Sequence, residues 1–128
     1  MVLRPPGELK AEAAAEQRAA LAAADAFARR CAGELDATRV ILFGSRARHD
    51  WRRGSDVDLF VISERFEGMR TETRSSWLSE FWHGPPLVGC AAWGFTAAEF
   101  ERGLTARGLI AMAFADGVRE LLPPDAQP

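Results

Sequence analysis

Two short apolar runs, Val40-Ile41-Leu42-Phe43 and Leu59-Phe60-Val61-Ile62, bracket the segment that most constrains this chain. The first runs directly into Gly44-Ser45-Arg46-Ala47-Arg48, and the second is entered through Gly54-Ser55-Asp56-Val57-Asp58. A buried strand therefore leads into a small-residue turn, a basic stretch follows, and a second strand opens on two carboxylates. The second strand alternates, so Asp56, Asp58, Phe60 and Ile62 share one face and Val57, Leu59 and Val61 the other.

The rest of the chain supplies helices to cover such strands. From Glu8 to about Leu35 it is Ala-rich, with Leu21, Ala24, Phe27, Ala28, Cys31 and Leu35 at helical spacing. Gly33 is expected to end or fray that helix. Met69 to Trp82 reads as a helix with Trp77, Leu78, Phe81 and Trp82 on its apolar side, broken by Gly84-Pro85-Pro86. Four large apolar residues in six positions suggest that this side, with the final helix, meets a protein partner. Leu87 to Trp93 is a third strand candidate. Thr96-Ala97-Ala98-Glu99 fits a capping box opening a short helix to Gly103, and a last helix is expected from Arg107 to Leu122. The Pro-rich ends, residues 1–7 and 123–128, are expected to be mobile. The order predicts an α/β fold of the α+β type: a small mixed sheet of about three or more strands flanked by helices.

At 128 residues the chain reads as one domain over its whole length. A formal net charge of -2 offers no bulk attraction to nucleic acid or to acidic membrane. No apolar run approaches the ~20 residues that span a bilayer, and no signal-peptide core stands at the N-terminus, which points to the cytoplasm. Cys31 and Cys90 fall in separate elements and read as reduced core thiols.

The chemistry concentrates between the two strands. A Gly-Ser turn after a strand allows close backbone approach and presents free N–H groups and a hydroxyl to an anion, with Arg46 and Arg48 adding charge. Alone, that pattern also describes ordinary turns and N-caps. Two carboxylates at i and i+2 on a strand stand roughly 6.5–7 Å apart along the backbone, where they repel unless a hard cation lies between them. A solvated strand end is the plain alternative for Asp56 and Asp58 in isolation. Together, the turn and the aspartates suit a metal-bound polyphosphate.

Across Val40 to Ile62 these residues resemble the minimal nucleotidyltransferases of the DNA polymerase beta superfamily. The likeness is looser at Thr96 to Phe100 and at Asp116-Gly117-Val118. The resemblance implies a nucleotidyltransferase-like fold and transfer of a nucleotidyl group from a nucleoside triphosphate, ATP foremost, to an acceptor hydroxyl with release of pyrophosphate. It assigns phosphate contact to Gly44 and Ser45, with Arg46 facing or bracing that pocket. It assigns Mg²⁺ (or Mn²⁺) ligation and catalysis to Asp56 and Asp58. It also implies a possible homodimer, or pairing with a HEPN-domain protein as the antitoxin half of a toxin–antitoxin module.

Two positions depart from the family's pattern. His49 stands where the family has glycine, at a position expected at a helix end and facing solvent. The strand that should carry a third carboxylate contains no Asp or Glu, and Glu64, Glu80 and Glu99 are not brought to the site by anything in the sequence. Triphosphate binding with weakened transfer, or binding alone, follows from that absence. Trp51 and the arginines around it are expected to form a charged loop. An Asp-x-Asp glycosyltransferase fragment is disfavoured by length and by the Gly-Ser turn.

Overall fold

A computed structural model describes residues 6–123, so the expectation for residues 1–5 and 124–128 lies outside the described residues. Pro6 and Gly7 already belong to the first helix. The elements are α1 (Pro6–Leu35), β1 (Arg39–Phe43), α2 (Ser45–Arg48), β2 (Val57–Ile62), α3 (Thr71–Ser79), β3 (Cys90–Phe95), α4 (Ala97–Thr105), α5 (Leu109–Asp116) and β4 (Arg119–Leu122). A single 3₁₀ turn, Glu64–Phe66, follows β2. The four strands form one mixed sheet in the order β3-β2-β1-β4, with β2 antiparallel to β1 and parallel to β3.

Residue alternation divides the core between the two sheet faces. Val40, Leu42, Val57, Leu59 and Val61 meet α1 and Leu78 of α3 on one side. Ala20, Ala24 and Ala28 recur every four residues on α1, and their small side chains let the helix lie close to the sheet. Ile41, Phe43, Phe60 and Ile62 face the other way, toward Phe100 of α4 and Ile110 and Ala113 of α5. The parallel β2–β3 crossover runs through α3, while the tight β1–β2 connection carries α2 and the loop to Asp56. Asp58 pairs in register with Phe43 on one side and Ala91 on the other, so all three project from the face shared by Phe60 and Trp93.

The first helix ends at Leu35 as its apolar spacing predicts, running through Gly33 without a break, and Asp36 then takes a left-handed φ of 53°. Three boundaries differ from the sequence reading. The helix expected over 69–82 is confined to Thr71–Ser79. The third strand lies later than expected, at Cys90–Phe95, because its register with β2 runs from Val57–Cys90 to Ile62–Phe95, and Leu87 is left 92% exposed. The segment expected as one helix from Arg107 divides at Gly117, whose φ of 113° suits a residue without Cβ. Its second half becomes β4, paired with β1.

The apolar side of α3 packs inward. Leu78 is fully buried, Trp77 and Phe81 are half-buried against the core, and the Trp82 ring sits 6.1 Å from that of Phe27. The Trp82 indole N–H donates to the Val88 carbonyl at 3.1 Å. Those four residues complete the domain's own core, which is why their density exceeds what the helix alone would bury. The exposed large apolar side chains of the last helix are Leu109 and Met112. Among the described residues no helix is long and apolar enough to cross a membrane. Cys31 is buried and Cys90 half-buried, both unpaired, and burial is the main cause that pushes each thiol up to about 12.

Candidate active site

The turn after β1 is fixed by glycine chemistry. Gly44 has φ 77°, and a Cβ there would collide with Oδ2 of Asp58, so that carboxylate lies directly against bare backbone. Ala47 and Arg48 N–H groups donate to the Gly44 carbonyl, both at 3.1 Å, and close the single turn of α2. His49 ends it in the left-handed region at φ 65°, exposed to solvent, as its position beyond the basic run suggests. The Ser45 hydroxyl is half-buried and makes no hydrogen bond within the described residues.

Arg46 turns away from solvent. Its side chain has no exposed surface, and its guanidinium donates to Gln17 at 2.9 Å, to Glu16 at 2.8 Å and to the Ser55 carbonyl at 2.8 and 3.2 Å. The Trp51 ring lies beneath it, 4.8 Å from centroid to guanidinium carbon. Arg46 thus ties the turn to the residue that precedes Asp56. Glu16 is the hub of this arrangement, accepting also from Arg53 and from the Gly54 N–H at 2.8 Å each. These bonds hold the Glu16 carboxyl at about 2, against a usual 4.5, with the Arg46 bond the largest cause. Nothing in the sequence signals Glu16 or Gln17, because neither carries a motif and both lie about thirty positions from their partner.

The two aspartates stand differently. Asp56 is exposed, Asp58 half-buried, and neither makes an ion pair or hydrogen bond within the described residues. Burial, followed by the like charge of Asp56, raises the Asp58 carboxyl from 3.8 to about 6, with Arg48 acting in the opposite sense. A Cβ on Gly89 would press on Oδ1 of Asp56, so glycine backbone flanks both carboxylates.

Opposite Asp58 stands Ala91. Two other carboxylates of the chain are committed elsewhere: Glu64 accepts from the Ala97 N–H at 2.8 Å, and Glu99 is held by Arg74 at 2.6 and 3.1 Å while completing the capping box with Thr96. Glu80 ends α3 in solvent. Among the described residues no group of three or more His, Cys, Asp and Glu side chains is placed to hold a metal. The donor set fits one hard cation shared with an anionic ligand, since two unpaired oxygen donors crowd each other without one. It does not fit a second cation.

The nucleotidyltransferase domain family matches residues 26–106, a span holding the Gly44-Ser45 turn, both aspartates and β3. A crystal structure of a candidate nucleotidyltransferase from Sulfolobus solfataricus is similar with a TM-score of 0.58 and 25% identity, over 70% of this chain and 78% of that one. No curated protein matches the chain. The chain belongs to the nucleotidyltransferase domain family. Membership sets its general chemistry, nucleotidyl transfer from a nucleotide substrate, in a family that commonly employs a divalent metal.

Proposed function

We propose that this domain binds a metal-complexed nucleoside triphosphate, ATP on grounds of family resemblance, and transfers its nucleotidyl group slowly to an acceptor hydroxyl. The observation that carries this reading is the pair of unengaged carboxylates, Asp58 against the Gly44 backbone and Asp56 against that of Gly89, beside a serine hydroxyl with no internal partner among the described residues. Asp56 and Asp58 hold the metal, Gly44 and Ser45 receive triphosphate oxygens, and Arg46 braces the turn from behind. Mg²⁺ bound by the two aspartates supplies neutralisation of the triphosphate charge. In the transfer, the acceptor oxygen bonds to the α-phosphorus and the bond to the bridging oxygen breaks. Pyrophosphate leaves, and the hydroxyl proton passes to water. Ala91 cannot accept that proton, and loss of a general base costs about 10²–10⁴-fold.

Ala91 also favours a second reading, a binding module without turnover, such as the antitoxin partner of a HEPN-domain protein. Calorimetry with Mg²⁺ and ATP on the wild type and Asp58→Ala tests the shared premise, with at least tenfold weaker binding expected of the variant. Equal binding by the two proteins would refute the metal assignment. Pyrophosphate release by the wild type separates the two readings, since a binding module releases none above the Asp58→Ala background.

A further inference from the structure

Beyond the turn and the aspartates, a groove runs along β3, the edge strand beside Asp58. It comprises two cavities, of about 250 and 410 Å³, which both use Trp93 as a wall. The first is lined by Ser75, Ser79, Cys90 and Ala91, and so begins at the residue in register with Asp58. The second extends past Phe95 to Arg70 and Arg102. From Ala91 to Phe95 the strand advances roughly 13 Å.

The walls differ in what they offer. Trp93 is half-buried, its ring held 5.7 Å from Phe43 and 6.5 Å from Phe60, so it presents a fixed aromatic surface. Ser75 donates to the Ala92 carbonyl at 3.1 Å and Arg74 to the Gly94 carbonyl at 3.1 Å, so the strand edge is already capped against an added strand. Arg74 and Glu99 neutralise each other. The charge left at the far end is that of Arg70, which reaches only Glu72 at 3.8 Å in solvent, and of Arg102, whose side chain has no partner within the described residues.

We propose that this groove is the acceptor site, and that the acceptor is an elongated small molecule with a hydroxyl at one end, an apolar or aromatic body, and a phosphate or carboxylate at the other. The proposal rests on the nucleotidyl-transfer reading above. The hydroxyl lies beside Ala91, where a methyl leaves it room next to Asp58, the body lies on Trp93, and the anion meets Arg70 and Arg102. Arg102, together with Arg70, which is held only by a long solvent-exposed contact to Glu72, suits one anionic group. A nucleic-acid strand would require a longer basic track, which a chain of net charge -2 does not offer.

Calorimetry with 4'-(hydroxymethyl)biphenyl-4-yl phosphate, its carboxylate counterpart 4'-(hydroxymethyl)biphenyl-4-carboxylate and neutral biphenyl-4-methanol, whose two rings suit the length of the groove, reads the anion preference directly. The phosphate or the carboxylate, or both, should bind the wild type at least tenfold more tightly than biphenyl-4-methanol, and the relative strength of the two identifies the anion. An Arg70→Ala/Arg102→Ala variant should lose that preference while retaining the wild-type melting temperature and Mg²⁺–ATP affinity. An absent preference, or one that survives the double substitution, overturns the proposal. Displacement of ATP by the probes overturns it too, since the groove would then hold the nucleotide. Should Asp58→Ala leave ATP binding intact, the nucleotide reading fails separately, and the double variant still reports on the groove.

Discussion

Replacing Glu16 with alanine should destabilise the domain and loosen the loop that presents Asp56. The carboxyl is held at about 2 rather than 4.5 and is only 13% exposed. At ~1.4 kcal/mol per pKa unit that difference amounts to about 3.5 kcal/mol at most, less the screening due to the half-exposed Arg53 partner. Truncation also leaves the fully enclosed Arg46 guanidinium without a counter-charge, a situation that typically costs 3–5 kcal/mol in a dry interior. Gln17 and the Ser55 carbonyl remain bonded to it, so a loss of about 2–4 kcal/mol is expected for Glu16→Ala at pH 7. Glu16→Gln keeps an acceptor and should lose about half as much. Because the folded-state pKa is depressed, the stabilisation is present above pH 4.5 and is lost as pH falls through 2. The gap between wild type and Glu16→Gln in urea denaturation should therefore narrow between pH 5 and pH 3. Adding Arg46→Met to Glu16→Ala should recover part of the loss by removing the stranded charge. A Glu16→Ala unfolding free energy within about 0.5 kcal/mol of wild type, or a gap that ignores pH, would refute the reasoning.

Asp58→Asn should stabilise the metal-free protein by about 1–2 kcal/mol at pH 8 and by nothing at pH 4, as read by thermal melts. The raised carboxyl pKa means its stabilising, protonated form is complete below 3.8 and is lost as pH rises through about 6. Ser45→Ala should weaken ATP binding roughly tenfold or more while leaving adenosine binding unchanged in calorimetry, since the hydroxyl meets phosphate rather than base. Ala91→Asp should raise pyrophosphate release from ATP by about 10²-fold or more in a coupled assay, because the new carboxylate would stand in register with Asp58.

The parts that could be read from the sequence were those whose cause is local. Val40–Phe43 and Val57–Ile62 are apolar runs bounded by turn residues, and the Thr96–Glu99 capping box is written in four consecutive positions. The Gly44-Ser45 turn is marked by its glycine and the placing of Asp58 beside Phe60 follows from strand alternation, whereas Asp56, expected on the same strand, stands one residue before β2. What escaped depends on partners distant in the chain. Arg119–Leu122 carries no strand signature of its own and becomes β4 only by pairing with Val40–Leu42. The start of β3 is set by its register with β2, since a run of small apolar residues suits several alignments. Glu16 as hub, and the choice between an Arg46 that faces the pocket and one that braces it, are tertiary facts. A basic residue after a phosphate-type turn looks the same in sequence whether it faces the ligand or the interior.

The tether from α1 to the loop bears on how portable this chemistry is. The span shared with the nucleotidyltransferase domain family begins at residue 26, ten positions beyond Glu16 and nine beyond Gln17. The turn and both aspartates lie inside that span, while Glu16 and Gln17, two of the partners that hold Arg46, lie outside it. A graft of the shared span into another scaffold would carry the turn and the aspartates and leave the Arg46 guanidinium with the Ser55 carbonyl and Trp51 but without its counter-charge. The smallest transplantable unit of this site is the motif together with the first helix.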